Sequence, residues 1–258
     1  MNIKQPDRFL SLLAEAEQAE FCGWDFSWLN GRLIQEAPPW DYSTLAKQQI
    51  SKAHSILDMG TGGGELLATL TPLPPDTHAT ETYPPNQMLA SKRLAPLGVQ
   101  VHPLDEETSL PFSNDRFDLV LNRHESFDPT EVFRVLKEKG WFITQQVGAL
   151  DNLELNQVLE KNPSIPYTTW GLASASMGLY ETGFDIKRSE KAVLKSTFRD
   201  IGAVAYYLKA IPWQVAGFTT ESHLEQLSKL HNLIERQGPF VATAHRFLII
   251  AQKKEIQS

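Results

Sequence analysis

The stretch Ser55-Ile56-Leu57-Asp58-Met59-Gly60-Thr61-Gly62-Gly63-Gly64-Glu65 decides the fold. A short apolar run ends in Asp58, glycines follow at alternate positions 60, 62 and 64, and Leu66, Leu67, Ala68 and Leu70 then read as the buried face of a helix. The unit is strand, tight turn, helix. Glycine there permits positive φ and lets a ligand approach the backbone, and the helix start adds N–H groups without intrahelical partners. A dinucleotide turn needs Gly-x-Gly-x-x-Gly. Counted from Gly60 the last glycine should fall at Glu65, and counted from Gly62 at Leu67, so that pattern fails in both registers. What stands here is Asp-x-Gly-x-Gly-x-Gly after a strand.

Outward from this turn, strands and helices alternate. Strands are predicted at 78–81, 99–102, 117–122 and 141–147, and a helix at 86–94. Asp128-Pro129-Thr130-Glu131 marks a further helix start, with an acidic N-cap, proline at the first helical position and Glu three residues on. That helix is expected to run through Leu136 and to stop at Gly140. Strict alternation implies a doubly wound parallel sheet whose ligand sits outside the carboxyl ends of the strands. The residues to examine are therefore Asp58, Glu81, Asp105, Asn122 and Gln145. Beyond position 150, helices are expected at 151–161, 172–182, 201–210 and 220–237, with strands at 184–190 and 246–251.

The segment Leu110-Pro111-Phe112-Ser113-Asn114-Asp115-Arg116-Phe117-Asp118-Leu119-Val120-Leu121 makes the pattern specific. Together with the glycine turn, Glu81 and the acids Asp105 and Glu106, it resembles class I methyltransferases that use S-adenosylmethionine, of the small-molecule type, over residues 54–147. The resemblance implies a Rossmann-like sheet of about seven mostly parallel strands, the last one antiparallel. It also implies roles. Asp58 ends the first strand of the motif, and Gly60, Thr61, Gly62 and Gly64 would line the methionine and ribose part of the donor. Glu81 would hold the ribose hydroxyls, Thr82 would lie beside the adenine, Asp105 would accept from its amino group with Glu106 as neighbour, and Asn122 would face the methionine end. Asp118 would be structural.

Methyl transfer asks for in-line placement and exclusion of water more than for proton transfer. Should the nucleophile arrive protonated, the groups just past the fourth strand are Arg123, His124 and Glu125, and His124 is the candidate catalytic base. The aromatic segment Phe21, Trp24, Phe26, Trp28, Trp40 and Tyr42 reads either as a lid over the donor or as plain packing. Tyr42 and Arg32 are candidates for the methionine carboxylate.

The 258 residues suffice for one α/β domain with a cap. The expected division is an N-terminal cap at 1–53, a donor-binding core at 54–150, substrate-side helical insertions at 151–240, and a closing strand and tail at 241–258. A net charge of −7 disfavours a long nucleic acid held through its phosphates, so a small-molecule acceptor is expected. An rRNA or tRNA acceptor, with Lys187, Arg188, Lys191 and Lys195 as the best basic cluster, and a non-catalytic donor-binding protein are the alternatives. The single cysteine, Cys22, permits no internal disulfide. Scattered histidines suggest no metal site. Neither a signal peptide nor an apolar span of membrane length is visible, so a cytoplasmic location is expected.

Overall fold

The computed structural model describes residues 8–105, 109–161, 163 and 168–255. Its elements in chain order are α1 (Arg8–Gln18), β1 (Leu33–Gln35), α2 (Tyr42–Ile50), β2 (Ser55–Met59), α3 (Glu65–Thr69), β3 (Asp76–Glu81), α4 (Pro84–Leu94), β4 (Gln100–Pro103), β5 (Phe117–Arg123), α5 (Pro129–Val135), β6 (Leu136–Val147), α6 (Leu153–Leu159), α7 (Leu172–Thr182), β7 (Phe184–Phe198), α8 (Ile201–Ala210), α9 (Leu224–Gln237) and β8 (Phe240–Lys253). Among the described residues the strands form one sheet of eight, in the order β1-β7-β8-β6-β5-β2-β3-β4.

The pairs β2–β3, β3–β4, β2–β5 and β5–β6 are parallel. β8 runs antiparallel to both β6 and β7. The fold is the expected doubly wound α/β sheet with an antiparallel last strand. The sheet gains one strand over the expectation. The three residues of β1 are too few to show periodicity, and they pair antiparallel with the far end of β7, Leu33 opposite Phe198.

β2 is buried along its whole length, as its unbroken apolar run demands of a central parallel strand. Successive strands β2, β3 and β4 advance in one direction across the sheet, while β5 and β6 lie on the other side of β2. The winding therefore reverses between β2 and β5, and the ends of these two strands flank the crevice where such sheets bind ligands. One face of the sheet packs Ile56, Leu119, Leu121 and Ile143 against Ala46 and Ile50 of α2, Leu67 of α3 and Leu94 of α4. The other packs Leu57, Val120, Phe142 and Ile249 against Val132 of α5 and Leu179 of α7.

β7 and β8 run well past the expected 184–190 and 246–251. Arg246 pairs with Val147 at the carboxyl end of β6, so the first part of β8 projects beyond that end with the last part of β7 beside it. The cap hangs on this extension. α8 is buried almost throughout, against Phe9, Leu13 and Ala16 of α1 and Leu227 and Leu230 of α9. Lys209 of α8 donates to the carbonyls of Ala16, Glu17 and Ala19 and so closes the end of α1.

The end of α5 differs from expectation. Leu136 is already extended (φ −78°, ψ 139°) and pairs with Phe117, and the chain bulges before pairing resumes at Trp141 opposite Leu119. Gly140 lies inside β6 and is not a helix cap; a Cβ there would fall 2.7 Å from the Lys137 carbonyl oxygen.

Asp118 has the structural part foreseen for it. Its carboxylate accepts from the main-chain N–H groups of His54 and Ser55, both at 2.9 Å, and from Lys137 Nζ at 2.8 Å, tying the start of β2 to β5 and β6. Burial pushes its pKa up, but these donors outweigh it and hold the pKa at about 2. Replacing Asp118 with Ala is expected to destabilise the fold by about 1–3 kcal/mol at neutral pH. Because the folded pKa lies below the reference 3.8, the wild type loses this contribution as pH falls from 3.8 toward 2, and the deficit of the variant narrows there. Urea unfolding of both proteins across that range checks this.

Candidate active site

Gly60, Gly62 and Gly64 all take left-handed backbone angles (φ 65°, 62° and 78°), which is why the turn is written in glycine. The turn is braced by β3. Thr61 N donates to the Thr80 carbonyl at 2.9 Å. The Glu81 carboxylate accepts from Gly62 N at 2.7 Å through one oxygen and from Tyr83 N at 2.9 Å through the other. Burial pushes the pKa of Glu81 up, and these N–H groups pull it back. α3 is little more than one turn, so the exposed backbone of the glycine turn matters more than a helix dipole.

Two side chains lie directly on the glycines. A Cβ at Gly62 would fall 2.3 Å from Trp24 Cδ1, and one at Gly60 would fall 2.3 Å from Glu125 Cγ. Trp24 stacks on Phe26 with centroids 6.0 Å apart and meets Trp213, from the loop after α8, edge-on at 6.1 Å. The N-terminal segment and the later insertion thus converge on the turn. The sequence marks Trp24 only as one aromatic among several, and nothing in its spacing singles it out.

Asp58, near the end of β2, is buried, and desolvation pushes its pKa up to about 7, with Thr61 and Arg123 opposing and Glu81 adding to the shift. Asn122 is fully buried. Its Oδ1 accepts from Thr144 Oγ1 at 2.8 Å and from Gln146 Nε2 at 2.5 Å, while its Nδ2 has no partner among the described residues. Thr82 follows β3, and its carbonyl accepts from Gln87. Asp105 is exposed just past β4, where Leu104 N binds the Glu81 carbonyl at 3.0 Å. Glu106 lies outside the described residues.

Three candidate roles change on seeing the contacts. Tyr42 is buried, and its hydroxyl proton is directed to the main-chain carbonyls of Asn122 (3.2 Å) and Ile143 (3.5 Å). It seats α2 on the strand ends and has no proton left for a carboxylate. Arg32 is held by both oxygens of Asp200, at 2.9 and 2.7 Å, and lies 4.0 Å over the Trp28 ring, so it cements the cap.

His124 stands at the end of β5 with φ 63°, its N–H bonded to the Gln145 carbonyl. Trp40 Nε1 donates to Gln145 Oε1 at 2.8 Å, which fixes that amide and aims its NH2 at His124 Nε2, 3.0 Å away. Nε2 must then accept, and the proton sits on Nδ1. Desolvation in the crevice, followed by the charges of Arg123 and Arg246, holds the imidazole pKa well below its usual value. In this arrangement His124 is a neutral donor through Nδ1 and has no free lone pair, so the geometry removes the expected base.

Residues 57–144 match the family model described as a methyltransferase domain. Over that stretch, about a third of its length, the chain is similar to methyltransferase domains. Solved structures resemble it at low identity. A candidate methyltransferase from Bacillus halodurans C-125 is 18% identical with a TM-score of 0.58, over 83% of this chain and 99% of that one. YcgJ from Bacillus subtilis is 18% identical with a TM-score of 0.56, over the same shares. The [4+2]-cyclase SpnF is 13% identical with a TM-score of 0.52, over 95% of this chain and 92% of its own. These likenesses are of fold. Among curated proteins none matches the chain.

The folded state of this protein binds the Asp58 proton more tightly than the unfolded chain, whose reference pKa is 3.8. Wild-type stability therefore falls as pH rises from 3.8 through about 7. Asp58→Asn keeps the shape and removes the charge. Its melting temperature relative to wild type is expected to rise between about pH 5 and about pH 8, as scanning calorimetry at the two pH values will show.

Proposed function

We propose that the protein transfers a methyl group from S-adenosylmethionine to a small-molecule acceptor. The observation that carries this reading is the glycine turn at the winding reversal, braced by Glu81, with carboxylates on the neighbouring strand tips. Bound there, S-adenosylmethionine supplies a methyl group already activated by its sulfonium. The chain's own work is then to bind, align and exclude water.

Gly60, Thr61, Gly62 and Gly64 would line the methionine and ribose part, and Glu81, whose oxygens each keep a further lone pair, would take the ribose hydroxyls. Thr82 and Asp105 would flank the adenine. Asn122 would shape the end of β5 beneath the methionine moiety, with Tyr42 holding its carbonyl. Trp24, seated on Gly62 and joined to Trp213, fits a lid that keeps water from the methyl group. With His124 committed to Gln145, an acceptor that arrives as a ready nucleophile suits the site best.

The cap over the strand ends favours a small acceptor. The basic cluster that would favour RNA is partly neutralised, with Lys187 paired to Asp185 and Arg188 to Glu190.

Calorimetry with S-adenosylmethionine and S-adenosylhomocysteine tests the reading directly, and absence of heat for both would overturn it. Glu81→Ala is expected to weaken S-adenosylhomocysteine binding about tenfold or more, a loss of about 1.4 kcal/mol, as charge-assisted hydrogen bonds warrant. Unchanged affinity in that variant would remove Glu81 from the ribose. Donor binding without methylation of any acceptor in a broad screen would favour a non-catalytic binding protein.

A further inference from the structure

We propose that Arg123 is a carboxylate receptor, a charged handle in the crevice that an anionic ligand group can grip. Resting on the methyl-donor reading above, the assignment adds the class of group that meets this residue.

Arg123 is the last residue of β5, beside the glycine turn. The sheet register puts it on the same face as Asp58, Gln145 and Arg246: Asp58 pairs with Leu121, Arg123 with Gln145, and Val147 with Arg246. Its side chain keeps exposed surface, yet desolvation in the crevice lowers its pKa, with Arg246 adding to the effect and Tyr42 and Asp58 opposing it.

Among the described residues the Arg123 side chain has no hydrogen-bond or ion-pair partner. Elsewhere Arg32 is paired with Asp200, Arg116 with Asp76, and Arg134 with Glu131. A partly desolvated charge without a partner is unfavourable until an anion meets it.

The surrounding groups compensate the charge only in part, and none of the described ones forms an ion pair with it. Arg246 is spent on Asp151. Asp58 makes no ion pair with Arg123, and its own burial pushes it toward the neutral acid. Glu125 lies over Gly60 and is itself pushed toward the neutral form, by burial and by Glu81. His124 is held neutral. A single free positive charge calls for a singly charged oxyanion, and the planar fork of a guanidinium matches the two oxygens of a carboxylate. Two sources carry that group into this crevice: the amino-acid end of the donor, or an acceptor bearing a carboxylate.

The test uses wild type, Arg123→Gln and Arg123→Lys. Each is titrated calorimetrically with S-adenosylhomocysteine and with 5′-methylthioadenosine, which lacks the amino-acid end. Each is also melted, saturated with S-adenosylhomocysteine, in the presence of 2-naphthoate or neutral 2-naphthamide, aromatic probes suited to the Trp24–Trp213 wall. A loss of about tenfold or more for S-adenosylhomocysteine alone in Arg123→Gln, partly restored in Arg123→Lys, assigns the carboxylate to the donor. Unchanged donor affinity with loss of the extra thermal shift given by naphthoate over naphthamide assigns it to the acceptor. No selective loss in either arm, including a wild type that does not distinguish naphthoate from naphthamide, overturns the receptor. If wild type binds neither nucleoside, the methyl-donor reading fails by itself, and the naphthoate arm run on the free protein still decides Arg123. Both variants are expected to keep the wild-type melting temperature within a few degrees, because an unpaired arginine holds nothing together.

Discussion

The hydrogen bond from Gly62 N–H to the Glu81 carboxylate ties the parts of the site together. It joins a turn that only glycines can make to the tip of the neighbouring strand, and it does so from a buried carboxylate. Without it, three left-handed glycines at alternate positions would leave the loop with many conformations and little enthalpy to select one. With it, the turn, the end of β3 and the crevice between β2 and β5 form one rigid edge. Glu81 is raised in pKa by burial and still accepts two main-chain N–H groups, so it is a charge already committed to the protein and also available to a ligand.

Around this edge the structure arranges two kinds of polar group. One kind is spent. Asp118 fastens β2 to β5 and β6, Arg32 fastens the N-terminal segment to the start of α8, and Tyr42 seats α2 on the strand ends. The other kind faces the crevice with capacity left over: Asp58, pushed toward neutrality, and Arg123, without a partner among the described residues. Stability and function are thus divided among residues of the same chemical types. What separates them is whether a second protein group arrives within hydrogen-bonding distance.

The cap shows how a binding surface is built from distant pieces. Extension of β7 and β8 beyond β6 carries α8 and the loop with Trp213, while α1 and the aromatic segment after it pack on α8. Trp24 reaches Gly62 because these layers stack, and the edge-on contact with Trp213 fixes the height of its indole over the turn. A protein with this core and a different cap would keep the glycine turn and lose that wall.

The antiparallel last strand was implied only by the resemblance to class I methyltransferases; the sequence by itself determined the strand–turn–helix unit, the alternating order of the core and the carboxylates at the strand tips. These follow from local rules: periodicity, glycine at positive φ, and proline with an acid at a helix start. Leu136 already departs from the local rule, because pairing with Phe117 overrides the helical run before Gly140. Only the tertiary structure decided which candidates were free to act. His124 is set as a donor by Trp40 through Gln145, across a separation of 105 residues; Arg32 is claimed by Asp200, 168 residues away. Among the described residues Arg123 is left without an ion pair, because no carboxylate on its face comes close enough. Such facts depend on strand register and on which side chains the cap lowers onto the sheet, and neither quantity is carried by any short stretch of chain.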